Sequence, residues 1–425
     1  MNFELFISRR LSESKLNKQY YSGPITKICI TSICVCVTVM IITISIGLGM
    51  QKTITNKLTN AISDIKIHNK YSKQINSTIC INDNTLEKIN QKKGVSIEPV
   101  AEIKGIININ HNTEYILLKG IQTDTYKSKI INYIDSGSYF SNHNNNEMII
   151  SSYLKEKLKL KIGEKCIIHY YNGHKNTKYP FRIIGSYKMD LQEHFDEFYV
   201  FAKKEEIQKI NYTENNTKKK SQNDKVKKNW HDTCKPIGLV SYYEVNTNNN
   251  HTINQNIKKF IENNYPFIMA ESARDRIPQV FTWIDLLYNN VFFILIIMII
   301  ICIINITNVL LIIILERLKM IGILKSFGCS NYSILKIFMY TSWRITKKSL
   351  LFGNLIGLSL CLIQKKTNII LLNPETYFSS YIPIEFNIMY ILLINIVTFI
   401  IIHIGLIAPY YIIRKITPSN ILKIT

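Results

Sequence analysis

Arginine and alanine are scarce: eight Arg and six Ala occur among 425 residues, against 80 Ile. That skew is what codon usage in an AT-rich genome produces without selection on the protein, so the lysine behind a net charge of +22 says little about partners. Charged residues make up only 19% of the chain and apolar ones 47%, which excludes a disordered, charge-rich chain. Nine scattered Cys exclude a disulfide scaffold. No G-x-x-x-x-G-K-[ST] loop is present, so the chain has no phosphate cradle of its own for ATP, and G-x-S-x-G, H-E-x-x-H and paired C-x-x-C are missing too. An enzyme, and a single soluble enzyme domain above all, is not what these absences leave.

What is present is segregation of apolar from polar sequence. Residues 28–50 run for 23 residues without a charge, enough to cross a hydrocarbon core of roughly 30 Å, and read as an uncleaved signal anchor. A second span is expected over 291–315 and a fourth over 388–408. The third, 337–363, is compromised by Arg344, Lys347 and Lys348; a re-entrant segment is the alternative. Gly353 and Gly357 give it a small-xxx-small face for close helix packing. Asn305, Thr307 and Asn308 in the second span read as interhelical hydrogen-bonding groups, and His403, with no carboxylate nearby in sequence, as a packing residue. The expected fold class is therefore an α-helical integral membrane protein with four transmembrane helices and a large extracytoplasmic α+β domain between the first and second.

Basic residues in short loops set the orientation. Arg9, Arg10, Lys15, Lys18 and Lys27 precede the first span, seven Lys/Arg from Arg317 to Lys348 separate the second from the third, and Arg414, Lys415 and Lys423 close the chain, while Lys365 and Lys366 stand alone in the opposite loop. The N-terminal segment 1–27, the loop 316–336 and the tail 409–425 are thus cytoplasmic; 51–288 and the loop 364–387 lie outside. In 51–288, short β-like runs (103–109, 115–118, 148–150, 166–171, 181–184, 198–201, 238–245) alternate with helical stretches at 152–160 and 253–262. Residues 211–235 turn to Lys, Asn and Thr and read as a solvated insertion, not a nucleic-acid surface. His169 with His174, and Glu193, His194 and Asp196, lack a further convergent ligand for a metal. Cys80, Cys166 and Cys234 outside allow at most one bridge.

The loop after the second span is the most structured soluble sequence. Met320, Ile321, Leu324 and Phe327 fall at helical spacing, Gly328 can stop the helix in a left-handed conformation, and Ser330 can cap the next. On these features alone the stripe serves equally to anchor a loop at a lipid surface or to dock a partner.

The run ERLKMIGILKSFGCSNYSIL resembles the coupling segment of FtsX/MacB-like ABC transporter permeases, matching at Glu316, Arg317, Lys319, Ile321, Gly322, Ile323, Leu324, Lys325, Ser326, Gly328, Cys329 and Ser330, with Met320 where the family usually has an acid. Leu158 to Lys165 is similar to a turn of the family's extracytoplasmic core domain, the strands 181–185 and 196–201 to its paired strands, and Ala408 to Lys423 to its closing segment. The resemblance implies a docking role for Glu316, Arg317, Lys319, Ile321, Gly322, Leu324, Lys325, Phe327, Gly328 and Ser330. It further implies a cytoplasmic ABC ATPase dimer as partner, with ATP and Mg held there and no cofactor on this chain, and a second permease subunit, identical or related. By length and span order the nearest branch is the lipoprotein-releasing one, with a lipoprotein substrate, a periplasmic carrier, membrane lipids and a bacterial inner-membrane location. Macrolide-efflux and cell-division branches, and a membrane sensor or regulator, are the alternatives.

Overall fold

A computed structural model of the chain describes residues 22–70, 79, 87, 89–90, 94–109, 112–141, 145–171, 176–191, 195–210, 240–405 and 411. The chain divides into an apolar helical unit (1–52, 283–371, 381–425) and an α/β unit (53–282, 372–380).

In the helical unit, α1 (Ser22–Ile62) is longer than the 28–50 apolar run because apolar residues recur every three or four positions beyond it: Ile54, Leu58 and Ala61 are buried on one face. Its apolar part packs with those of α6 (Pro278–Glu316), α8 (Asn331–Thr367) and α10 (Ile388–Ile404), burying Ile33, Val37, Ile41, Ile306, Leu310 and Ile394 in one core. α1, α6 and α8 are long and apolar enough to cross a membrane; α10 has 17 residues, fewer than the 21 expected, and 406–410 lie outside the described residues. The third span is one helix from 331 to 367, six residues longer at its start than expected and four at its end. Lys347 sits 4.4 Å from the Trp343 ring, so one of its charges is met by an aromatic face.

Gly353 and Gly357 are buried against α1. A Cβ on Gly353 would lie 2.9 Å from that of Val37 and 3.0 Å from the Cys34 carbonyl oxygen; one on Gly357 would lie 3.3 Å from Ile41. The missing side chains set how closely these helices approach, as the spacing predicts. The polar residues of the spans tie helices together: Asn305 Nδ2 donates to Ser32 Oγ at 2.6 Å, and Asn354 and Asn395 exchange amide hydrogen bonds at 2.7 and 2.9 Å. His403 contacts Phe399 on its own helix.

The α/β unit is built on β1 (Ile65–Asn69), β2 (Ser96–Ile109), β3 (Asn112–Ile121), β4 (Ile134–Gly137), β5 (Glu147–Ser151), β6 (Lys165–Tyr171), β7 (Asn176–Tyr187), β8 (Tyr199–Lys203), β9 (Tyr242–Asn246) and β10 (Ile268–Ser272). They pair in the order β10-β1-β9-β2-β3-β8-β5-β7-β4, with β6 on β2 and β7. The helices α2 (Thr123–Ile130), α3 (Ser152–Lys157), α4 (His251–Asn264) and α5 (Ala273–Arg276) belong to the same unit, as does a helical stretch over 204–210. The helix expected over 152–160 stops at Lys157, and Lys159 takes a positive φ of 53°.

β2 serves two cores. Its first half, Ser96–Val100, pairs with β9 beside the cluster Ile65, Ile67, Val245, Ile257 and Ile261; its second half, from Ala101, pairs with β3 beside Ile103, Leu118, Ile150, Ile168 and Ile183. Residues 372–380, with α9 (Pro374–Tyr377), belong to this unit: Ser380 Oγ donates to Asp190 Oδ2 at 2.8 Å, and Lys57 bridges Asp190 and the Phe378 carbonyl at 3.1 and 3.2 Å.

Candidate functional site

The segment from Glu316 to Ser330 forms a helix with a defined stop on each side. α6 ends at Glu316, Arg317 leaves helical geometry (φ −106°, ψ 18°), and α7 (Leu318–Ser326) follows. At its end Gly328 has φ +79°, its N–H donates to the Lys325 carbonyl at 3.0 Å, and the Cys329 N–H reaches back to the Leu324 carbonyl at 3.0 Å. That pair of bonds is the Schellman closure, which needs a left-handed residue where Gly328 stands. Ser330 then caps α8, its Oγ accepting from Ser333 N–H at 3.1 Å. The stop and the cap read from the sequence are both present.

The faces of α7 depart from the expected stripe. Ile321 and Gly322 are fully buried, Ile321 in the core that holds Ile334 and Phe338, so neither is free to meet a partner. Met320 and Leu324 are half-buried, whereas Phe327 is 84% exposed. The open face is made of Lys319, Ile323, Ser326 and Phe327, positions spaced by three and four, with Arg317 and Lys325 half-buried at its borders. Desolvation holds the Lys325 ammonium below its ordinary pKa. Glu316 Oε2 is buried with no hydrogen-bond partner. Of the expected surface stripe, Phe327 is therefore outward and Ile321 is not; Phe327 stands at the end of the helix, with its backbone at φ −83°, ψ 11°.

In the α/β unit, His169 lies on β6 opposite Lys178 and Ile106, in the middle of a strand ladder. His174, Glu193, His194, Cys80, Cys234 and all of 211–235 lie outside the described residues, as does the closing segment from Ala408 except Tyr411. Cys166 is free and buried, and burial pushes its thiol up to about 12. Asp196 is buried; desolvation is the main cause that raises its carboxyl to about 6, opposed by the Leu191 N–H that donates to it at 2.9 Å.

A buried ion network, absent from any sequence pattern, occupies the region where β2 changes partner. Lys119 Nζ and Glu244 Oε1 are 2.7 Å apart, each side chain 1% exposed, and Lys119 also donates to the Ala61 carbonyl at 3.1 Å. Lys66 lies 3.8 Å from the Tyr242 ring, whose hydroxyl donates to Glu102 at 2.8 Å, and Arg276 donates to the Ser63 carbonyl at 2.6 Å. Burial lowers the pKa of both Lys66 and Arg276.

Two family profiles match the chain: the FtsX-like permease C-terminal over residues 292–418, and the MacB-like periplasmic core domain over 26–230. The chain belongs to the FtsX/MacB-like permease family. The α/β unit of this permease is thus of the periplasmic type, on a membrane protein. Among solved structures it is similar to the periplasmic region of MacB from Actinobacillus actinomycetemcomitans, at 12% identity over 53% of this chain and 95% of that one, with a TM-score of 0.31. It is also similar to the extracellular domain of the noncanonic ABC-type transporter YknZ from Gram-positive bacteria, at 16% identity over 49% and 99%, with a TM-score of 0.28. No curated protein matches the chain.

Proposed function

We propose that the permease spans the bacterial inner membrane four times with both termini in the cytoplasm, couples to a cytoplasmic ABC ATPase dimer, and releases lipoproteins from the outer leaflet toward a soluble carrier. The observation that carries the coupling step is α7: a short helix closed at Gly328, rooted by Ile321, and presenting Lys319, Ile323 and Phe327 outward. An exposed phenylalanine beside a lysine at a helix end suits a groove on a protein partner better than bulk water. ATP and Mg are bound and hydrolysed on the partner, and two permease chains, identical or related, complete the assembly. Closure of the ATPases moves α7, and with it α6, which runs unbroken from Glu316 back to Pro278. The grouping of residues 372–380 with the α/β unit supports the placement of that loop and that unit on one side of the membrane.

The lipoprotein step rests on the likeness of span order to the lipoprotein-releasing branch. Ile106 and Tyr115, directly opposite each other on β2 and β3 and both exposed, support contact with an apolar carrier or acyl chain. In a reconstituted complex, Lys319→Glu and Phe327→Ala should each reduce permease-dependent ATPase stimulation; unchanged stimulation in both removes the docking assignment. Depletion of the permease should strand acylated proteins in the inner membrane, whereas normal sorting with altered drug tolerance favours an efflux role.

A further inference from the structure

By sequence the chain from 364 to 387 lies outside the spans, yet two arms of it return to them. α8 ends at Thr367, Asn368 takes a left-handed φ of 47°, and the chain reverses. Gln364 then holds Ile370 on both sides: its Nε2 donates to the Ile370 carbonyl at 3.3 Å, and its Oε1 accepts from the Ile370 N–H at 3.1 Å. Residue 370 thus lies beside the last turn of α8, not beyond it. The second arm, 381–385, is tied to the first by the bridge of Leu371 with Tyr381 and by the Ile382 N–H, which donates to the Ile370 carbonyl at 3.2 Å. It then runs along α1. The Glu385 N–H donates to the Ser45 carbonyl at 3.1 Å, and a Cβ on Gly49 would collide with the Pro383 carbonyl.

These contacts fix a depth. Ser45 and Gly49 belong to the uncharged run 28–50, Ser45 about 7 Å inside its end. α1 and α8 advance in step, Gly353 against Val37 and Gly357 against Ile41, which brings Gln364 level with Leu48. Both arms therefore meet the spans within the final turns of their apolar stretches, where a bilayer passes from hydrocarbon to headgroups. Backbone at that depth has to find its partners within the protein. The N–H groups of Ile370, Ile382 and Glu385 do so. Glu385 brings a charge to this level, and Lys52 pairs with it.

The side chains say what surrounds the arms. Ile369, Ile370 and Leu371 are 67, 53 and 73% exposed, three consecutive large apolar residues after the polar collar 364–368. Single exposed apolar residues are ordinary, but a contiguous patch marks a surface that something apolar covers. Just before the collar, α8 turns Leu360, Leu362 and Ile363 outward as well, so the patch continues a lipid-facing surface. Tyr381, opposite Leu371 and exposed, and the collar residues Lys365 and Lys366 are types that settle at a membrane boundary. We propose that the arms 369–371 and 381–385 form a re-entrant hairpin whose apolar edge, Ile369, Ile370, Leu371 and Tyr381, is seated among the acyl chains of the leaflet at which α8 ends. The edge displaces lipid from that leaflet beside α8.

The test uses the full chain in lipid nanodiscs at one permease per disc, without ATPase or substrate, so its outcome is independent of the transport reading. Leu371→Trp and Tyr381→Trp each add a fluorophore on the edge, and Lys259→Trp adds one on the exposed face of α4. The fluorescence gained over the parent is quenched with a lecithin brominated on its acyl chains and, separately, with iodide. Bromolipid should remove at least about half of the gain at 371 and 381 and leave that at 259 unchanged, while iodide does the reverse. Far-UV circular dichroism checks each fold, and either edge variant decides if the other does not fold. Iodide quenching on the edge as strong as at 259, with none by bromolipid, overturns the proposal, because the arms then face water. Quenching by neither overturns it too, because protein then covers the edge. So does bromolipid quenching that vanishes at two permeases per disc, where a second copy has taken the place of lipid.

Discussion

Removing the ammonium of Lys119 while leaving Glu244 in place strands a carboxylate in a dry interior. Its Oε2 already lacks a partner, and Lys119 supplies the only hydrogen bond described for its Oε1. Breaking a buried pair from one side typically costs about 3–5 kcal/mol. Here Arg276 and Lys66 also act favourably on Glu244, which places Lys119→Met near the lower end, about 3 kcal/mol. Glu244→Gln should cost less, since Lys119 keeps the Ala61 carbonyl and the Tyr126 face. Replacing both at once by Met and Leu removes the orphan charge and should restore stability to within about 1 kcal/mol of the parent, because the pair's attraction and its desolvation nearly cancel. The assay is pulse proteolysis of the full chain in detergent across a urea series. With a slope of about 2 kcal/mol per molar urea, Lys119→Met should shift the midpoint of the α/β unit down by roughly 1.5 M. A single variant that unfolds with the parent, or a double variant no better than the single, would refute the reasoning.

Gly353→Ala should lower detergent stability by about 1–3 kcal/mol, because the added Cβ meets Val37 and a backbone oxygen, and Gly357→Ala by less, its Cβ facing only the Ile41 side chain; thermal aggregation in micelles reads both. Asp196 holds a proton in the folded state up to about pH 6 that an unfolded aspartate loses near pH 4. Its contribution is therefore full below pH 4 and falls as pH rises from about 4 to 6, by up to about 3 kcal/mol, so the stability difference between parent and Asp196→Asn should change in that window and nowhere else. Ser330→Ala should cost about 1 kcal/mol through the lost cap on α8, seen as faster amide exchange at Ser333. Asn354→Leu leaves Asn395 Oδ1 without its donor, while its Nδ2 keeps the Ile391 carbonyl at 2.8 Å, and should weaken the contact of α8 with α10 by about 0.6–2 kcal/mol, measurable by the same micelle assay.

Local chemistry was legible wherever cause and effect lie within a few residues. Gly328 and Ser330 announce their own geometry, and the two glycines of α8 announce a close helix contact. Strands β3 and β6 show in their alternation, though with shorter limits than observed. β1 escaped because its alternation lasts only five residues, β10 because it has none, and α2 because it is polar nearly throughout. The first half of β2 escaped because Pro99 reads as a breaker. The ion pair of Lys119 with Glu244 joins residues 125 apart in sequence, so it leaves no local signature.

Pro99 also has a mechanical meaning. It cannot donate to the ladder, and it pairs with Tyr243 one residue before β2 leaves β9. Three residues after Pro99, a side chain joins the ladder: Ser241 Oγ accepts from Glu102 N–H at 2.8 Å and donates to the Glu102 carbonyl at 3.2 Å. The two halves of the sheet thus share one backbone rod, and across the same join Lys119 of β3 is held to Glu244 of β9 at 2.7 Å while Tyr242 of β9 donates to Glu102 of β2. A twist about β2 at Val100 would pull these buried partners apart, so the two cores are geared to turn together. Lys119→Met should therefore speed amide exchange at Val100 and Glu102 more than at the far ends of either half.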